Sequence, residues 1–216
     1  LTIWKEVVKQ LPWEDTVYIA DSLNAPYGEK SSDEIIALSI KNTEQLLAKG
    51  SKLIVVACNT ATTQAIEELR NKFDVPFIGI EPAVKPAAEK SNSNYIGVLA
   101  THGTIESEHF NNTINTYSNK VNVITQVGEG LVSGIEGGRI RSETLRKALK
   151  KHLNALTQFP IDYLVLGCTH YPLLKPIITE IVGAQIEIVD SGAAVANQTR
   201  KILLEHSLQT SSNDVA

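Results

Sequence analysis

The chain contains two cysteines, and both stand in the same local setting. Cys58 closes the apolar run Val55-Val56-Ala57 and is followed by Asn59 and Thr60. Cys168 closes Leu164-Val165-Leu166-Gly167 and is followed by Thr169 and His170. A lone cysteine after an apolar run is commonly core filler. Here each stands where a strand gives way to a turn, and the backbone N–H groups that open the next helix stabilise a thiolate or a bound carboxylate. Asn59, Thr60, Thr169 and His170 add hydrogen-bonding side chains that a buried structural cysteine does not need.

Two thiols serve as a disulfide couple, as metal ligands, or as acid and base. A redox couple wants close spacing such as CxxC, and these two are far apart in sequence. Zinc wants more Cys or His ligands, and His170 beside Cys168 makes a poor set, so no metal is expected. Acid and base remain. One ionised thiol that takes a proton from a substrate carbon, with a protonated thiol that returns one on the opposite face, inverts a stereocentre without a cofactor. That is the chemistry of a two-base racemase or epimerase.

The elements that position these thiols follow from periodicity. In 216 residues with 43% hydrophobic and 20% charged side chains, short apolar β-branched runs alternate with longer helical patterns, as in parallel βαβ construction. Strands are expected at residues 16–21, 52–58, 76–80, 95–100, 121–127, 163–168 and 186–191. Helices are expected at the amphipathic start and at 32–49, 63–72, 84–90, 105–117, 142–156, 174–182 and 193–206. The capping sequence Ser31-Ser32-Asp33-Glu34 marks one start, and Gly50 suits a left-handed residue after a helix end. Both cysteines then lie at strand carboxyl ends, where open α/β sheets bind ligands. LIVVACNT and YLVLGCTH read as one strand-to-helix unit used twice, which suggests two similar halves facing each other across a cleft.

A formal charge of -4 with scattered lysines and arginines argues against nucleic acid and for a small-molecule partner. No apolar run approaches the roughly 18 residues of a membrane span. The expected location is the cytoplasm, where both thiols stay free. The chain opens on Leu1 inside the amphipathic pattern LTIWKEVVKQL and contains no Met, so a preceding N-terminal piece is expected. The polar end LQTSSNDVA is expected to fray.

At the two cysteines the chain resembles glutamate racemase, within the cofactor-independent aspartate and glutamate racemases. The matching motifs are PYGEKS from Pro26, ACNTAT from Ala57, IGVLATHGTI from Ile96, GLVSGIEGG from Gly130, LGCTHYPLL from Leu166 and VDSG from Val189. They occur in the family's order and cover nearly the whole chain.

The resemblance implies an α/β fold of two similar open parallel-sheet domains with helices on both faces and the active site in the cleft between them. One domain would be discontinuous, residues 1–80 with 190–216, and would carry Cys58. The other, residues 81–189, would be inserted and carry Cys168. Cys58 would act on the α-proton of D-glutamate and Cys168 on that of L-glutamate, with His170 and Glu136 assisting. The family's spacing between its acid and its second cysteine, together with the local pattern LVxxIExG, implies Glu136 rather than Glu129. Substrate contacts would come from Tyr27, Gly28, Asn59, Thr60, Thr101, Thr104, Thr169 and His170.

No cofactor is implied. A homodimer is expected, and the product would be D-glutamate for peptidoglycan synthesis. Two departures stand out. The family's initial strand ending in DSGxGG has no counterpart within the chain, and Gly128-Glu129 replaces a frequent Cys-Pro. Rival readings are a racemase of aspartate or another amino acid, a non-catalytic amino-acid-binding homologue, and a thiol hydrolase using Cys168 with His170.

Overall fold

The computed structural model of the protein describes residues 1–210, so part of the expected frayed tail lies outside the described residues. Two parallel sheets organise the chain. The first pairs β1 (Ile54–Val55) with β2 (Phe77–Ile78), in register Ile54 with Phe77 and Val55 with Ile78. The second has the order β4-β3-β5-β6, from β3 (Tyr95–Ala100), β4 (Asn122–Val127), β5 (Tyr163–Gly167) and β6 (Glu187–Val189).

Alternation of side chains explains why helices cover both faces of each sheet. In β5, Leu164 and Leu166 point into a core with α7 (Leu131–Glu136), α8 (Glu143–Leu156) and α9 (Lys175–Val182). Tyr163 and Val165 point the other way, toward α4 (Val84–Lys90) and α6 (Glu108–Tyr117). In the smaller sheet, Ile78 packs with α1 (Thr2–Gln10) and α10 (Gly192–Glu205), while Ile54 and Phe77 pack with α2 (Ser32–Leu47) and α3 (Asn59–Lys72). A short α5 (His102–Ile105) completes the set.

Local chemistry sets the ends of these helices. Ser31 accepts the Glu34 N–H while the Glu34 carboxylate accepts the Ser31 N–H, a reciprocal cap at the expected start of α2. Gly50 has a φ of 80°, as expected after that helix. Ser142 caps α8, whose buried stripe Leu145, Leu149, Leu153 and Leu156 follows helical spacing. Each fully buried leucine contributes on the order of 1.5–3 kcal/mol.

Several expectations are corrected. Residues 16–21 form no strand: the segment runs largely exposed, and residues 17–21 line a cavity. The helix expected over 105–117 is two, because the Ser107 hydroxyl accepts the Phe110 N–H and starts α6 afresh. The helix expected from residue 63 begins at Asn59, directly after Cys58. The glycine-rich run after Gly130 contains the unexpected helix α7, which the left-handed Gly130, φ 73°, introduces. The two cysteine units also differ. Cys58 leads straight into α3, whereas Cys168 leads into a 3-10 turn, Tyr171–Leu174, before α9.

The chain passes from the first sheet to the second between β2 and β3, and leaves the second sheet after β6 for α10, which packs with the first. At that double crossing the Ser191 hydroxyl donates to the Glu81 carbonyl. No helix among the described residues is long and apolar enough to cross a membrane.

Candidate active site

A cavity of about 1000 Å³ is lined by both cysteines, with Tyr27, Thr101, Glu136 and His170 among its walls. Cys58 is the N-cap of α3, with an extended backbone at φ −151° that aims its thiol at the helix start. Its sulfur accepts the Ala61 N–H at 3.5 Å. Burial pushes the Cys58 thiol pKa up, and the Ala61 and Thr60 N–H groups with the Thr60 hydroxyl pull against that rise.

Cys168 follows β5 directly and is 7% exposed. Burial pushes its pKa up to about 12, the His170 N–H opposes the rise, and negative charge on Cys58 adds to it. Charge on one thiol therefore disfavours charge on the other. The two thiols do not ionise together, and burial keeps both largely protonated near neutral pH.

A side-chain relay lies behind Cys168. The Cys168 sulfur is 3.7 Å from His170 Nδ1, and His170 Nε2 is 2.5 Å from Glu136 Oε1. The carboxylate can only accept, so Nε2 carries a ring proton, and in the neutral ring Nδ1 is the acceptor that faces the thiol. Glu129 lines the same cavity, and Glu136 is the carboxylate that pairs with His170.

The Cys58 side carries a knot of hydroxyls. Thr60 lies 2.9 Å from Thr101 and 3.4 Å from Thr104, and Thr101 lies 3.0 Å from Thr104, oxygen to oxygen. Thr101 faces the cavity. Thr104 is fully buried behind it and is absent from the cavity wall, so it reaches the site only through the other two hydroxyls. Gly28 packs so closely that a Cβ there would stand 2.9 Å from the Thr101 Cβ. Asn59 is 3% exposed, and its Oδ1 has no hydrogen-bond partner among the described residues. An unpaired buried carbonyl beside a thiol is an acceptor available to an ammonium group.

Tyr27 is held by residues that sequence reasoning did not assign to the site. Its hydroxyl donates to Asp21 Oδ2 at 2.6 Å, and Asn42 donates to both Asp21 and that hydroxyl. Asn24 donates to the other Asp21 oxygen at 2.7 Å. Burial and then Asp21 raise the Tyr27 pKa, so the phenol stays protonated. The three donors lower the Asp21 pKa against the effect of burial. Thr169 was expected to contact substrate. Its hydroxyl donates to the Ala57 carbonyl, and its own carbonyl accepts the Thr2 hydroxyl at 2.7 Å.

The Asp/Glu/hydantoin racemase family model matches residues 9–199 of the chain. A glutamate racemase from Herpetosiphon aurantiacus is 44% identical over 94% of this chain and 80% of its own. Among solved structures, Escherichia coli glutamate racemase, in complex with L-glutamate and the activator UDP-MurNAc-Ala, superposes with a TM-score of 0.87. It is 34% identical over 95% of this chain and 78% of its own. A glutamate racemase isoform from Bacillus anthracis has a TM-score of 0.86, at 31% identity over 97% of this chain and 79% of its own.

Proposed function

The chain belongs to the Asp/Glu/hydantoin racemase family, and from that membership we propose that it interconverts L- and D-glutamate by proton exchange between two thiols. The observation that carries the reading is one cavity walled by Cys58 and Cys168, with His170 and Glu136 behind the second thiol.

Glutamate would lie with Cα between the sulfurs. One thiolate takes the α-proton while the opposite thiol donates its own to the other face, so the carbon inverts and the two sulfurs exchange roles. The α-proton of an amino acid is weakly acidic, so the carboxylate must be stabilised as charge builds on it. The opening N–H groups of α3, with the Thr60 and Thr101 hydroxyls, supply donors for this. The Asn59 carbonyl suits the substrate ammonium. Tyr27, held by Asp21 and Asn42, closes the wall beside Gly28, and Thr169 ties the two thiol-bearing turns. Thr104 would act through Thr101. His170, with Glu136, would accept the Cys168 proton and return it.

The same reading treats residues 1–80 with 190–216 as one domain and residues 81–189 as an inserted one, each covered sheet carrying one thiol. It extends to a homodimer in the cytoplasm that supplies D-glutamate for peptidoglycan. The likeness to glutamate racemases at 31–44% identity supports glutamate as the substrate. Incubation of the full-length protein with L-glutamate alone, followed by chiral chromatography, should yield D-glutamate. Failure to form it under conditions where the protein is folded would overturn the proposal.

A further inference from the structure

Between β4 and α7, three consecutive backbone carbonyls are each held by a side-chain donor. Gln126 Nε2 donates to the Val127 carbonyl at 2.8 Å and the Tyr171 hydroxyl to the Gly128 carbonyl at 3.3 Å. His152 Nε2 lies 3.1 Å from the Glu129 carbonyl. Gln126, Tyr171 and His152 belong to β4, the turn after Cys168, and α8 respectively.

His152 is the unusual member. It sits on the buried stripe of α8 among leucines and is 6% exposed. Its Nδ1 lies 3.2 Å from Gln126 Nε2, which has only hydrogens to offer. Reversing the Gln126 amide would set its oxygen against the Val127 carbonyl, so the nitrogen assignment stands. Nδ1 therefore accepts, Nε2 carries the proton, and that proton goes to the Glu129 carbonyl. One neutral tautomer satisfies every partner. A leucine here would fill the stripe without desolvating an imidazole, so the polar residue is explained by the geometry it specifies.

That geometry leads to the active site. Gly128, Glu129 and Gly130 line the cavity, and the left-handed Gly130 starts α7. α7 is only six residues long, and its last residue is Glu136, the carboxylate on His170. A Cβ on Gly128 would stand 2.3 Å from the Tyr171 hydroxyl oxygen, which shows how tightly this corner is set. We propose that His152 is a positioning residue for the acid–base pair. With Gln126 and Tyr171 it clamps the carbonyls at 127–129, fixes the start of α7, and so sets the Glu136 carboxylate against His170 and Cys168. The proposal deepens the racemase reading and rests on it for its kinetic readout.

The test compares His152→Phe, His152→Gln and Tyr171→Phe in the full-length protein. His152→Phe should lower kcat on the order of 10- to 100-fold, with a smaller change in KM. His152→Gln keeps an N–H donor and should restore most of the loss, and Tyr171→Phe should shift kcat in the same direction as His152→Phe. An unchanged kcat in His152→Phe, or equal losses in His152→Phe and His152→Gln, would overturn the proposal. If His152→Phe fails to fold, an unchanged kcat in Tyr171→Phe has the same force.

A second readout needs no turnover. In a Cys58→Ser background, iodoacetamide should alkylate Cys168 several-fold more slowly once Glu136 and His170 are displaced by His152→Phe or Tyr171→Phe. A wild-type protein that interconverts no glutamate would sink the racemase reading alone. Unchanged alkylation would sink the role of His152 alone.

Discussion

The Thr169 hydroxyl donates to the Ala57 carbonyl at 3.2 Å, fastening the residue after one thiol to the residue before the other. The Thr2 hydroxyl holds the Thr169 carbonyl from the opposite side. Proton transfer between sulfur and carbon is steep in distance, so this strap sets the gap that a substrate carbon must fill. Thr169→Val, which deletes the hydroxyl, is expected to lower kcat on the order of 10- to 100-fold. Thermal stability should fall by about 1 kcal/mol. Thr169→Ser should preserve both. Steady-state kinetics beside calorimetric melting separates the two effects.

The raised thiol pKa values give a pH dependence with a definite sign. A raised pKa leaves less thiolate at neutral pH, and thiolate grows as pH rises. The iodoacetamide alkylation rate of Cys168 should climb about tenfold per pH unit from pH 7 to 9 and show no plateau there. The linkage to stability has the matching direction. Cys168 loses its proton near 9.0 when unfolded and near 12 when folded, so stability falls as pH rises between those values. A plateau in alkylation below pH 8 would contradict the buried-thiol assignment.

Glu136 and Glu129 lie on the same cavity, yet Glu136 is the one that pairs with His170. Glu136→Gln should weaken the hold on the imidazole Nε2 proton and cut kcat roughly 100-fold, while Glu129→Gln should leave it unchanged. The reverse ranking would reassign the relay. Initial rates for both enantiomers, measured on matched preparations, make the comparison.

Gly28 lies against Thr101 with no room for a methyl group. Gly28→Ala should push Thr101 out of the hydroxyl cluster, at a cost of about 1–3 kcal/mol in substrate binding or folding. The expected kinetic sign is a raised KM for glutamate, read from a substrate titration.

Much of this arrangement was legible in the sequence because it is local. Residues 95–100 and 163–168 read as strands from their near-continuous apolar character, which burial on both faces requires, and strands form at 95–100 and 163–167. Cys58 and Cys168 are marked out by the polar pairs Asn59-Thr60 and Thr169-His170, and His170 is two residues from its partner. Residues 16–21 carry the same β-branched signal but form no strand, since periodicity reports a half-buried face and says nothing of the neighbour that completes a ladder. The helix α7 hides in a glycine-rich run because six residues hold too little periodicity to register. Asp21, Asn42 and His152 were illegible for another reason. Each acts through a partner brought close only by folding, and a polar residue on an apolar stripe looks the same in sequence whether or not its partners are waiting.

On the proposed mechanism two thiols, and not one base, exchange the proton. The direct test is early-time racemisation of L-glutamate in deuterated water, with isotope content read separately in each enantiomer. Two bases predict that D-glutamate forms with deuterium at Cα while unreacted L-glutamate keeps protium, and that Cys58→Ala and Cys168→Ala each abolish the conversion. Protium carried into the D-glutamate product, or racemisation that survives both substitutions, would contradict it.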